Sequence, residues 1–481
     1  MLAWSLACDD SVEPKPPKQD NLAPETFLLA TGDSLQPQLY RLRLSWLGSD
    51  ADGRVERYRW RWLCEPGAVD CLVDSSLWSE TAAVSGTFIL PVPDGAARYI
   101  FEIAAVDDDG VADPTPARQL YELFNTPPQG NFVTGSVPTT SLPAITFFFT
   151  ALDPDTTADE RDGDSRTSLT HYEVWLDGSE ANTRTVPIEL GRTTLRLEDF
   201  DSRFGTRTLF LRVVDDGSAK SDTVQHTWLV ESVPADGVLL VDDCRMGGFL
   251  EQASDRSYRN VVTPELGERL RVLDIEQQPF LLEEDISAQL GLFSRVIWYT
   301  DADTSSSGAL ELAQLALLEL LEQRQGRVLL TSGLVFGTRG AFAAEEARFR
   351  AVFGIDTLYR APDGSTNFSL NRRDSVEAAV HPGLKRFGYL TQGLRDIVEC
   401  FGSRDAPDTR SLYFYPESTL VRGAFQNPVQ FDVGVYHEAQ DGARAIYVSI
   451  PIGLPINTNM GENEIEIREM LRLVEILDPQ G

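Results

Sequence analysis

The sequence predicts two all-β sandwiches followed by a doubly wound α/β domain, and three observations predict it. Up to about residue 233, apolar residues recur at every second position in short runs broken by Gly, Pro and Asp, which is the period of half-buried strands. This pattern occurs twice in succession. After residue 236 it gives way to continuous apolar runs alternating with helical stretches, as in a parallel sheet buried on both faces. The length of 481 residues agrees, because a chain of this size exceeds one ordinary core and should divide into about three or four domains.

The first segment, residues 1–23, opens M-L-A-W-S-L-A-C, an apolar stretch that ends in small residues before Cys8. Asp9, Asp10 and a Pro/Lys-rich tether, Pro14 to Lys18, follow at once. It resembles the end of a bacterial lipoprotein signal, with Ser5 where such signals usually carry Leu. The resemblance implies lipidation at Cys8, attachment to a membrane through that lipid, and a place in the cell envelope, periplasmic or outer-surface. The alternative is a frayed apolar terminus. No other apolar run approaches the ~20 residues that span a bilayer.

Residues 24–126 form the first expected sandwich. Leu42, Leu44 and Trp46 alternate with Arg41, Arg43 and Ser45, and Tyr58, Trp60 and Trp62 repeat the pattern before Y-I-F-E-I-A-A-V runs into the turn D-D-D-G. Residues 127–233 look like a second copy. W-L-G-S-D-A-D-G and F-E-I-A-A-V-D-D-D-G in the first are echoed by F-T-A-L-D-P-D and L-F-L-R-V-V-D-D-G in the second. These modules resemble the immunoglobulin-like and fibronectin type III-like sandwiches of bacterial surface and secreted proteins, a resemblance that implies a fold and no ligand. Cys64 and Cys71, with Pro66 and Gly67 turning the chain between them, have the spacing of a disulfide that closes a hairpin loop. Cys244 and Cys400 are expected as buried free thiols.

Residues 236–481 are the expected α/β domain. V-L-L-V-D-D at 238–243, R-V-L-D at 271–274, R-V-I-W-Y-T at 295–300 and R-V-L-L-T-S at 327–332 read as strands of a parallel sheet. Ala309 to Gln323 reads as a helix with an N-cap in Ser305 to Ser307 and a stop at Gly326; Phe431 to Ile450 supplies two more strands, and Glu462 to Leu477 a closing helix. V-L-L-V-D-D, F-S-R-V-I-W-Y-T, L-E-Q-R-Q-G-R-V-L-L-T-S-G and A-R-A-I-Y-V-S-I-P-I-G resemble the class I glutamine amidotransferase-like fold, whose sheet is flavodoxin-like. That resemblance implies a cysteine nucleophile on the turn after the fourth strand and a histidine farther along. Here the turn reads T-S-G-L-V-F-G, with Ser332 the nearest hydroxyl and no G-x-S-x-G context, and the two histidines of the domain are His381 and His437.

Charge narrows the function classes. Lys plus Arg total 42 against 74 for Asp plus Glu, a net charge of −32, which opposes a phosphate-binding surface and makes nucleic acid an unfit partner. The acidity gathers in two kinds of loop. Open parallel sheets bind ligands at the carboxyl ends of their strands, which should gather Asp242, Asp243, Cys244, Asp301, Asp303 and Ser332; such a cluster holds a divalent cation, serves acid–base chemistry, or merely caps turns and helices. The sandwich loops carry Asp50, Asp52, Asp107, Asp108, Asp109 and Asp113 in the first copy and Asp153, Asp155, Asp215 and Asp216 in the second, a supply of oxygens suited to a structural Ca²⁺, although Asp and Gly also simply favour turns. Asp153 to Asp164 fails as a helix–loop–helix calcium loop, with Ala158 in place of the required Gly and Asp164 in place of Glu. The expectation is a non-catalytic cell-envelope or surface lipoprotein with a binding or structural role towards an envelope protein or glycan. The alternative is a secreted hydrolase using Asp242, Cys244, Asp301, Ser332 and His381.

Overall fold

The computed structural model describes residues 21–29, 38–66, 72–155, 168–277, 282–301, 308–333, 335, 344–360, 367–369, 375–378, 384, 387–388, 397–399, 401–415, 431–454 and 461–478. The first module contains β1 (Glu25–Leu29), β2 (Gln38–Leu39), β3 (Arg41–Ser49), β4 (Val55–Cys64), β5 (Ser79–Thr81), β6 (Ser85–Ile89), β7 (Ala96–Asp107) and β8 (Ala117–Phe124). They make a three-stranded sheet, β1-β3-β6, facing a five-stranded sheet, β2-β8-β7-β4-β5. The alternation seen in the sequence is the reason: Leu42, Leu44 and Trp46 are buried between the sheets, while Arg43 is exposed. Trp46, Tyr58, Trp62 and Phe101 fill the middle of this core, each worth about 2–3 kcal/mol of burial.

The second module contains β9 (Gln129–Phe132), β10 (Thr140–Ser141), β11 (Ile145–Leu152), β12 (Leu169–Leu176), β13 (Arg184–Pro187), β14 (Arg192–Leu195), β15 (Gly205–Asp215) and β16 (Val224–Val230). Its sheets, β14-β11-β9 and β10-β16-β15-β12-β13, reproduce the first module strand for strand. The likeness reaches small features. The two-residue second strand pairs parallel with the last strand in both modules, and the Asp turn after the long strand closes with an isolated bridge, Val106 to Ala112 and Val214 to Lys220.

In the α/β domain, five parallel strands, β17 (Val238–Asp242), β18 (Leu270–Asp274), β19 (Arg295–Tyr299), β20 (Arg327–Thr331) and β29 (Arg444–Val448), lie in the order β18-β17-β19-β20-β29. That is the doubly wound order 2-1-3-4-5. Helices α1 (Gly248–Leu266) and α5 (Gly461–Leu473) cover one face through Tyr258, Val261 and Met470; α2 (Glu283–Leu290), α3 (Ala309–Gln323) and α4 (Glu346–Val352) cover the other through Ile286, Leu317 and Phe349. Every residue of β17 is buried, which explains a strand without alternation. At α3 the N-cap residue is Gly308, with φ of 70°.

The sheet is mixed, where the sequence had suggested parallel pairing throughout. Between β20 and β29 come β21 (Ile355–Leu358), β22 (Asn367–Ser369), β23 (Ser375–Ala378), β24 (Phe387–Gly388), β25 (Ile397–Glu399), β26 (Phe401–Ser403), β27 (Thr409–Tyr415) and β28 (Phe431–Glu438). Of these, β28, β27, β23 and β24 continue the sheet beyond β29 by antiparallel pairing. Strands joined without a crossover helix have to turn back on their neighbours. The modules are also tied to each other and to this domain. Leu142 joins the core under α2 and α3, Gln289 Nε2 donates to the Ala144 carbonyl at 3.0 Å, and Thr146 Oγ1 donates to Asp285 at 2.6 Å.

Candidate functional site

The Asp loops of the two sandwiches bind the chain's own lead-in segments. Asn21 Nδ2 donates to Asp107 Oδ2 at 2.6 Å, and the Leu22 amide donates to the Asp52 carboxylate at 3.1 and 3.3 Å. The second module repeats this clasp: Asn125 Nδ2 donates to Asp215 Oδ1 at 3.3 Å, and the Thr126 amide donates to Asp155 Oδ2. Each module therefore begins with an Asn whose side chain, together with the amide that follows, is held by its own D-x-D and D-D loops. Further oxygens are used similarly, while Asp50 Oδ2 and Asp215 Oδ2 are buried without a hydrogen-bond partner among the described residues. Asp50 accepts the Asp52 amide at 3.4 Å, Asp153 the Asp155 amide at 2.9 Å, Asp107 the Val111 amide at 2.7 Å, and Asp113 both the amide and hydroxyl of Thr115. Asp109 lies on the exposed turn.

Most of these carboxylate oxygens are taken by N–H donors. Among the described residues no group of three or more His, Cys, Asp or Glu side chains is placed to hold a metal ion. An Asp whose lone pairs accept backbone N–H groups satisfies a turn. Asp216, by contrast, reaches across to the first module, accepting from Tyr40 OH at 2.7 Å and pairing with Arg41. Burial, with the charges of Asp153 and Asp216 added, pushes the Asp215 carboxyl up to about 6 against the pull of Ala219 and Asn125. Cys64 is disulfide-bonded; Cys71, Cys8, His381, Cys400 and Asp303 lie outside the described residues.

At the strand ends of the α/β domain the expected side chains do come together, and they are turned inward. Asp301, at the end of β19, is 2% exposed. Its Oδ2 accepts Ser254 Oγ at 2.5 Å and the Gly453 amide at 2.9 Å, and its Oδ1 accepts Tyr258 OH at 3.2 Å. Tyr258 OH also meets Thr331 Oγ1 at 2.7 Å, so α1, β19, β20 and the Gly453 turn are knotted at one carboxyl. Burial pushes that carboxyl up to about 7, against the hydrogen bonds that favour its charge. Asp242 accepts from Arg259 at 3.1 Å and is also raised by burial; Asp243 accepts from Trp298 Nε1 at 3.2 Å.

The groups considered as nucleophiles do not fit that part. Cys244 is a free, buried thiol pushed well up by burial and then by the negative charge of Asp301, whereas a reactive cysteine needs an exposed, electropositive setting. Ser332 is 1% exposed, and among the described residues its Oγ has no hydrogen-bond partner to act as a base. His437 cannot serve either strand-end group. It sits near the end of β28 beside the start of β29, at the opposite end of the parallel strands, held by Thr409 Oγ1 at 2.9 Å and lowered by burial.

Neither the protein-family models nor the curated proteins give a match. Among solved structures, fibronectin(III)-like modules of CbhA from Clostridium thermocellum align at 10% identity over 43% of this chain and 94% of that one, with a TM-score of 0.20. A ThuA-like protein from Bacteroides uniformis aligns at 13% identity over 51% of this chain and 93% of that one, with a TM-score of 0.31. The PKD1 domain of Epp from Vibrio anguillarum aligns at 21% identity over 22% of this chain and 96% of that one, with a TM-score of 0.15. The architecture of two immunoglobulin-like sandwiches and an α/β domain rests on the strand orders themselves, and these distant likenesses say nothing of function.

Sequence reasoning missed the clasp. Its signal was present, because N-L-A-P at 21–24 and N-T-P-P at 125–128 stand in the same place before each first strand. It also missed Ser254, Tyr258 and Gly453 around Asp301, for which no local spacing gives notice.

Proposed function

We propose that the chain is a non-catalytic cell-envelope or surface protein, lipid-anchored at Cys8, in which two sandwich modules carry a degenerate amidotransferase-like domain for structural or binding work. One observation supports this most: the acid, thiol and hydroxyl at the described strand ends are buried, and Asp301 is committed to three donors from the fold itself. A carboxyl spent in that way joins elements and does not face a substrate. The lead-in clasps and the Tyr40–Asp216 contact suit the same role, since they stiffen the joint between modules that a flexible linker would leave free.

The test uses the full chain. Native protein treated with a fluorophosphonate and, separately, with iodoacetamide should remain unlabelled at Ser332 and Cys244 until it is unfolded. Rapid labelling of either residue in the native state would favour the secreted hydrolase. For the anchor, Cys8→Ser should move the protein from the membrane fraction to the soluble one, and persistent membrane association would defeat that part of the proposal.

A further inference from the structure

The second module carries a cavity. At the end of the sandwich opposite the Asp loops, it opens between β12, β13 and β14 with a volume of about 480 Å³. Two short 3₁₀ turns, Glu180–Asn182 and Leu197–Phe200, help to wall it. The first module passes from β6 to β7 through residues 90–95 alone, whereas residues 196–204 make the same passage in the second. The longer passage supplies part of the cavity wall.

Its walls are polar and fixed. Arg184 pairs with Asp199, which also accepts the Arg196 amide at 2.8 Å, and Arg207 pairs with Asp177 while lying over the Phe200 ring. Arg207 is 8% exposed, yet its Nε has no hydrogen-bond partner. At the rim, Arg203 and Asp201 are exposed. Both line the cavity, so one free donor group and one free acceptor group face the same space. The floor is apolar, supplied by the buried Leu195 and Leu209.

We infer that this cavity is a binding site for a neutral saccharide segment. The charges nearly cancel in pairs, which disfavours a simple anion or cation; the polar walls disfavour a lipid. A sugar hydroxyl donates and accepts at once, and so matches guanidinium and carboxylate groups set side by side, while its C–H face suits an apolar floor. The volume lies within the range of small-ligand pockets. The inference is independent of whether the α/β domain is catalytic.

The experiment is calorimetric titration of the full chain with maltotriose, cellotriose and triacetylchitotriose, with trigalacturonate as the anionic arm. At least one neutral trisaccharide should bind. Arg203→Ala and Asp201→Asn, both on the exposed rim, should each weaken that binding about tenfold or more, as loss of a charge-assisted hydrogen bond does, with an unchanged melting profile. Failure of all three neutral sugars to bind, binding of trigalacturonate alone, or binding unaffected by the two rim variants overturns the inference.

Discussion

Replacing Asp301 by Asn should stabilise the α/β domain most at pH 8, by less than half as much at pH 5, and leave it nearly unchanged only near pH 3. The folded carboxyl holds its proton up to about pH 7, whereas the ordinary value is 3.8. Between those values the folded chain binds more protons than the unfolded one, so stability is greatest below the lower value and falls as pH rises towards the upper one. A difference of that size is roughly 4 kcal/mol, an upper figure for what the ionised carboxylate costs the fold at pH 8. The amide removes the charge and keeps the contacts. Its oxygen can accept from the Gly453 amide and Ser254 Oγ, and its nitrogen can donate to Tyr258 OH, which then donates to Thr331 Oγ1. The backbone also tolerates it, since residue 301 has φ of 44°, a conformation that Asn adopts as readily as Asp. Calorimetry can read the α/β transition apart from those of the modules, with denaturant titration at both pH values supplying the free energies. Other raised acids, Asp215 and Asp255 at about 6 among them, titrate in both proteins and cancel in the comparison. A variant less stable than the parent at pH 8, or a difference between the two that is the same at pH 5 and pH 8, would refute the reasoning.

The other predictions follow from the same geometry. Gly453→Ala places a Cβ against Asp301 Oδ2, Ser254 Oγ and the Tyr258 ring, and should cost the α/β domain about 3 kcal/mol in denaturant unfolding; a neutral effect would mean that the knot yields easily. Asn125→Ala removes a buried donor from Asp215 and from the Val92 carbonyl at 3.2 Å and should destabilise the second module by about 1–3 kcal/mol. Asn21→Ala should do less to the first, because its site is only partly buried. Tyr40→Phe combined with Arg41→Ala breaks the contacts to Asp216 and should widen the distribution of inter-module angles seen by small-angle scattering, with an unchanged profile counting against a stiff joint. Added Ca²⁺ and added chelator should leave the melting of both sandwiches where it is, and a melting temperature that rises with Ca²⁺ and falls with chelator would restore the cation reading.

By itself the sequence determined the local periods and therefore the classes of domain. The alternation Leu42, Leu44, Trp46 could only be a half-buried strand, the unbroken V-L-L-V at 238–241 only one buried on both faces, and the doubled D-x-D and D-D-D-G or D-D-G phrases only a repeat, because the side-chain period is a property of the backbone at each position. Tertiary structure decided what the acidic residues are for. Whether Asp52 and Asp155 meet a cation or an amide depends on where residues 22 and 126 pass, and whether Asp301 faces solvent or Ser254, Tyr258 and Gly453 depends on how α1 and a turn some 150 residues away pack over the strand end. The antiparallel extension of the sheet belongs to the same class. Pairing partners are chosen by contacts distant in sequence, and a short strand such as β23 or β27 carries no local mark of its neighbour.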